Sequence, residues 1–201
     1  MRRVPTFEQI VRAMQIKGNR VFDSTAGYNL NLVGIRAMDG RPDRFDDLLA
    51  VFHRRGAAWC GEIMACTTDP GLYWLNNPEH IDGTAILKPG QYRGAFRLGY
   101  HRGKYEALTQ AGPLTVWRDN NRDDRMDTAG QPEHTGMFGI NIHRAADHGE
   151  STVVGRWSAG CQVVANWWDF SVLIAMAKAG AHSHGNSFTY TLLEERDLGV
   201  V

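Results

Sequence analysis

Apolar positions near the start of the chain recur at helical spacing. Phe7, Ile10, Val11 and Met14 share one face of a helix predicted over residues 5–17, with Thr6 as its cap and Gly18-Asn19 as its stop. Beyond it the period falls to two. Residues 28–38 set Leu30, Leu32, Gly34 and Arg36 opposite Asn31, Val33 and Ile35, an imperfect alternation that reads as a strand. Gly40-Arg41-Pro42-Asp43 is a turn. Strands follow over 45–54 and 59–68, joined by the turn Arg54-Arg55-Gly56-Ala57, and Thr67-Thr68-Asp69-Pro70-Gly71 breaks the second. Further strands are expected over 92–100, 114–118 and 137–143. Val163-Val164-Ala165 leads into a mostly buried helix over 166–179 that ends at Gly180, and a strand over 187–193 closes the chain. The pattern predicts a mainly β fold with a few helices. It has one domain, residues 26–201, preceded by a helical extension, residues 1–25.

Composition narrows the partners. The 201 residues suit one domain. A net charge of zero gives no sign of electrostatic capture of nucleic acid or an anionic membrane. No apolar segment reaches the length of a membrane span, so no membrane insertion is expected. The start, Met1-Arg2-Arg3-Val4-Pro5, lacks the apolar run of a signal peptide, which predicts synthesis in the cytoplasm. Cys60 and Cys66 fall on one face of one strand, too far apart to bridge, and read as reduced core thiols. Six tryptophans and six tyrosines offer core mass and some surface for an extended ligand.

The chemistry concentrates late in the chain. His143 is followed, after residues 144–157, by Ser158-Ala159-Gly160-Cys161. A cysteine attacks carbonyls as thiolate, and a nearby imidazole can take its proton. A glycine before the cysteine lets backbone amides turn toward a developing oxyanion. Each residue alone is more often structural; the pair, with glycine and serine in register, points to a cysteine acyl-transfer enzyme.

This order and spacing resemble the catalytic signature of the L,D-transpeptidase (YkuD-like) family, a histidine followed at this interval by Ser/Thr-His-Gly-Cys. The resemblance covers roughly residues 45–195. A looser likeness joins the 45–68 hairpin and the Gly83 to Tyr92 segment to the family's hairpin and loop. The family likeness implies an antiparallel β-sandwich or barrel-like fold, with His143 as base and Cys161 as nucleophile. It further implies the Gly160 amide, beside that of Cys161, in the oxyanion hole, and the Arg144 backbone carbonyl orienting the imidazole. The implied ligand is a peptidoglycan stem peptide, attacked at an L-centred residue, with no cofactor required. Ala159 departs from the pattern, since the family has a second histidine there.

Ser158, Arg156, Trp157, His101 and Tyr105 are the expected substrate-binding residues, although Tyr100 to Tyr105 reads equally as an exposed hairpin tip. Asp119, Asn121, Asp123 and Asp127 take positions of a calcium-type loop, but Asp124 and Gly130 stand where glycine and glutamate belong; a structural Ca2+ and a plain Asx-rich turn are both open. His182, Ser183, His184 and Gly185 read as a loop, and His134 and His148 as surface residues flanking the catalytic strand. A chain of this kind without a leader fits a cell-wall-degrading enzyme of phage-lysis or effector type, delivered to the periplasm or cell wall. A crosslink-forming transpeptidase and a non-catalytic wall-binding or phage structural module are the alternatives. A papain-like or NlpC-type peptidase ranks lower, because its cysteine precedes its histidine.

Overall fold

A computed structural model describes residues 4–199; Met1, Arg2 and Arg3, where the start was read for a signal peptide, lie outside them. The fold is mainly β with helices added, as the periodicity predicted. Helix α1 (Phe7–Ile16) is followed by strands β1 (Asn31–Arg36), β2 (Asp47–Arg55) and β3 (Ala58–Thr67), then a short helix α2 (Leu72–Asn76). Strands β4 (Thr84–Leu87), β5 (Gly90–His101), β6 (Tyr105–Gln110), β7 (Leu114–Asp119), β8 (Glu133–Gly136), β9 (Ile142–Arg144) and β10 (Gln162–Val164) come next. Helix α3 (Trp167–His184) and strand β11 (Phe188–Glu194) follow, and a short 3-10 turn over Glu195–Leu198 comes after them. Eight strands close a barrel in the order β1-β11-β5-β6-β9-β10-β3-β2, and β4-β7-β8 form a separate sheet.

Thr6 caps α1 through a reciprocal pair with Gln9, each side chain bonding the other's backbone N–H. Ile10, Val11, Ala13 and Met14 then bury against Val33, Ile35, Ala50 and Phe52, so the N-terminal helix is packed on the outside of β1 and β2. Leu32 on the other face of β1 joins the barrel interior. With α1 on one side and the interior on the other, β1 is buried throughout, which explains its imperfect alternation.

Several expectations are corrected. The barrel is not wholly antiparallel: β1 pairs with β11, and β9 with β10, in parallel. Strands β4, β6, β8 and β10 and helix α2 were not foreseen. The strand expected over 137–143 shrinks to β9, because the Gln110 side chain takes the place of a partner strand. Its Oε1 accepts from the N–H of Phe138 (2.9 Å) and Ile140 (3.1 Å), while its Nε2 donates to Gly136 O. Helix α3 does not end at Gly180. A side-chain carbon there would meet Leu30 Cδ1 at 3.0 Å and Tyr28 O at 3.1 Å, so this glycine marks close packing. The helix runs on through His182, Ser183 and His184 to a cap at Gly185, which replaces the expected loop. Cys66 is buried but Cys60 is only half-buried, so one of the two expected core thiols lies outside the core. No helix among the described residues is long and apolar enough to cross a membrane.

Candidate active site

Parallel pairing of β9 with β10 brings the two halves of the motif together. The register sets Gln162 beside Ile142 and Val163 beside His143. Ile142 belongs to the interior cluster, and Gln162 is tied inward by the Tyr190 hydroxyl, which donates to its Oε1 at 2.7 Å. Because side chains alternate along a strand, Asn141, His143 and Cys161 all face the other side.

His143 is 3 % exposed. Its Nδ1 lies 2.8 Å from Arg144 O, the backbone contact implied by the family likeness. A carbonyl only accepts, so Nδ1 carries the proton and Nε2 keeps the lone pair that a base needs. Tyr105 Oη stands 3.3 Å from both Nδ1 and Arg144 O, and the Arg144 guanidinium covers the Tyr105 ring at 4.3 Å. Burial first, and the neighbouring His101 second, push the His143 pKa down to about 3.

His101 stacks on His143 with ring centroids 4.1 Å apart. A tight turn closed by Lys104 N–H donating to His101 O, with Arg102 at φ 50° and Gly103 at φ 69°, fixes its place at the tip of the β5–β6 hairpin. Its tautomer follows from a chain of bonds. Gln110 N–H donates to Asn141 Oδ1 at 2.9 Å, which leaves Asn141 Nδ2, purely a donor, facing His101 Nδ1 at 3.1 Å. His101 Nδ1 therefore accepts, and its proton sits on Nε2. The stacked rings hold opposite tautomers, one with a free lone pair and one with a free N–H. Burial and the charge of Arg102 lower the His101 pKa, which keeps this ring neutral.

Cys161 opens onto a cavity of about 680 Å³ whose wall includes His101, Arg102, Arg118, Asn141 and Ala159. Its Sγ accepts the Asn141 N–H at 3.4 Å and lies 3.8 Å from Gly139 O. Burial raises the thiol's pKa, against the pull of the Asn141 N–H and Arg102. Both thiol and base are thus neutral at rest. They share no hydrogen bond: among the described residues the imidazole bonds Arg144 and Tyr105, and the thiol bonds Asn141 and Gly139. His143 borders a second cavity of about 450 Å³, and His101 lines both.

Other expected positions are redistributed. The Gly160 amide is not free for an oxyanion, since it donates to Ser158 Oγ at 3.2 Å. The Cys161 amide forms no hydrogen bond among the described residues and is the donor left beside the thiol. Gly160 itself is obligatory at φ +120°, where a Cβ would lie 2.6 Å from Ala85 O. Ser158 is fully buried, and its Oγ donates to Cys161 O at 2.8 Å; it holds the nucleophile loop and does not reach substrate. Arg156 lies over the Tyr73 ring at 3.8 Å and, with Trp157, borders the His143 cavity instead of the Cys161 cavity. The acidic loop spends its carboxylates on itself: Asp123 accepts from Arg125 N–H at 2.8 Å, and Asp119 from Asp127 N–H at 2.9 Å. Among the described residues no group of three ligating side chains is placed to hold a metal. His134, expected at the surface, lines the Cys161 cavity with His80, while His148 is exposed beside Asp147.

Asn141 and Arg118 carry no motif and were not anticipated; only the position of Asn141, two before His143 on the same strand face, was a signal. No protein-family model matches this chain, and no curated protein matches it either.

Proposed function

We propose that this protein is a cysteine acyl-transfer enzyme that cleaves or exchanges stem-peptide bonds of peptidoglycan, with hydrolysis as its main outcome. The observation that carries the reading is that the parallel neighbours β9 and β10 put Cys161, at a cavity wall, and an imidazole whose Nδ1 is locked by a backbone carbonyl on the same face of the sheet. The sulfur attacks the carbonyl carbon of an L-centred residue, and the thiol proton passes to His143 Nε2. For this the Cys161 side chain leaves Gly139 O and turns toward the ring, a tightening that substrate commonly brings about. Cys161 N–H and His101 Nε2–H donate to the oxygen as it gains charge, each worth ~3–4 kcal/mol in comparable sites. Collapse breaks the C–N bond, and the imidazolium, acidic in its buried setting, returns the proton to the leaving amine. Water resolves the thioester in hydrolysis, and an amine resolves it in exchange. Delivery to the cell wall by a phage or as an effector fits this outcome, and no metal takes part in these steps.

The absence of a bond between thiol and imidazole favours a second reading, a non-catalytic wall-binding module of the same shape. Digestion of purified sacculi separates the two, with muropeptides read by mass spectrometry for wild type and Cys161→Ala. Released D-Ala or split dimers that require Cys161 support hydrolysis; new L,D-linked dimers support exchange. Sacculus binding without any Cys161-dependent product sinks the enzyme reading. So does a carbapenem-type probe that labels Cys161 no faster than Cys60 or Cys66.

A further inference from the structure

The wall of the Cys161 cavity contains a buried cation that makes no ion pair among the described residues, although the charge of Asp82 reaches it across the cavity. Arg118, near the end of β7, is 6 % exposed. Its Nη1 donates to Gly83 O at 3.0 Å and its guanidinium lies over the Phe138 ring at 5.0 Å. Nε is buried and has no hydrogen-bond partner among the described residues, and no bond from Nη2 is present there either. No described carboxylate lies within ion-pair distance of it. The other buried arginine shows how this fold satisfies such a group. Arg36 gives Nε to Thr68 Oγ1, Nη1 to Leu87 O and Nη2 to Thr68 O, and pairs with Asp69 at 2.7 Å. A guanidinium stays charged in a protein, and a buried charge is costly unless it is paired.

Nε is sealed off, so Nη2, which makes no bond among the described residues, is the end of the guanidinium left to donate a charge-assisted bond to a carboxylate in the cavity. We infer that Arg118 is the recognition site for a free carboxylate on the peptide that fills the Cys161 cavity. Arg102 adds a second positive charge to that wall. The cavity's own acids are Glu79 and Asp82, and Asp82 is faced by His80 at 3.5 Å and His134 at 3.8 Å. The inference rests on the reading of that cavity as the peptide site, but it concerns binding and does not require turnover.

The test uses the Cys161→Ala protein and two soluble muropeptides, a tetrapeptide with free carboxylates and the same tetrapeptide amidated, each titrated by calorimetry. Amidation should weaken binding by about 10-fold or more, the worth of a charged hydrogen bond. Arg118→Gln should bind the free form no better than the amidated one, and Arg118→Lys should restore part of the preference. Equal binding of the two ligands by the Arg118 protein overturns the inference, as does preference retained in Arg118→Gln or no measurable binding of either ligand. The ligand comparison needs no variant at Arg118, so it stands even if that substitution unfolds the chain. Discrimination by a protein that never processes sacculi would keep the carboxylate site and remove the acyl-transfer reading; turnover without discrimination would do the reverse.

Discussion

Acid should unfold this protein partly through His143. Its pKa, pushed from the ordinary value near 6.5 to about 3 by burial and by His101, belongs to the folded state alone. Between those two values the unfolded chain binds a proton that the folded chain does not. The stabilisation from keeping this ring neutral is therefore complete above pH 6.5 and is lost as the pH falls toward 3. At ~1.36 kcal/mol per pH unit, the full loss is roughly 5 kcal/mol, and the part lost between pH 7 and pH 4 roughly 3 kcal/mol. That is a large share of a domain's ordinary stability. Asp47 works in the opposite sense. Burial and Asp69 push its carboxyl up to about 7, so its contribution is complete below its usual 3.8 and lost as the pH rises. A variant isolates the histidine. His143→Asn keeps an N–H near the Nδ1 position for Arg144 O and cannot take up a proton in this range. Urea unfolding of both proteins at pH 7 and pH 4 should show the variant gaining roughly 3 kcal/mol on the wild type at the lower pH. Parallel pH dependences for the two proteins would refute the reasoning, as would a His143 ring signal that titrates near pH 6.5 by NMR.

Three further outcomes are expected. His101→Gln sets an N–H near the ring Nε2 position and should keep kcat on muropeptides within a few-fold, whereas His101→Asn lacks that reach and should lose ~10²–10³-fold; equal rates for the two would remove the donor role. Above pH 7, where it is ionised, Asp47 accepts from Ala37 N–H (2.6 Å), Thr68 N–H (2.6 Å) and Thr68 Oγ1 (2.8 Å), so Asp47→Asn turns a donor toward donors and should cost ~1–3 kcal/mol in thermal unfolding at about pH 8. An unchanged Tm would contradict that geometry. Gly160→Ala combines a strained φ with a clash against Ala85 O and should cost roughly 2–5 kcal/mol while abolishing Cys161 labelling by the carbapenem probe. Full labelling with wild-type stability would show that the nucleophile turn has another geometry.

Some of the site was legible before any coordinates. His143, its Arg144 carbonyl and Cys161 follow from a local motif, and Gly160 from the need for a sharp bend ahead of the nucleophile. The roles of their neighbours were not. Ser158 stands in the motif as a substrate contact, yet it is sealed inside, because its hydroxyl is the cross-brace between Gly160 N–H and Cys161 O. In the sequence His101 stands out only as a donor; its stacking on a ring 42 residues away comes from β6 lying between β5 and β9.

The chain by itself determined what depends on near neighbours: the capped helix α1, the β2–β3 hairpin around its glycine turn, the final helix and strand, and the mainly β character. These follow from side-chain period and backbone preference, which act over a few residues. Tertiary structure decided the parallel seam of β9 and β10, the tautomers fixed through Gln110 and Asn141, and the unpaired charge of Arg118. Each of these depends on which distant group fills a hydrogen-bonding valence once water has been excluded, and that choice exists only after the barrel has closed.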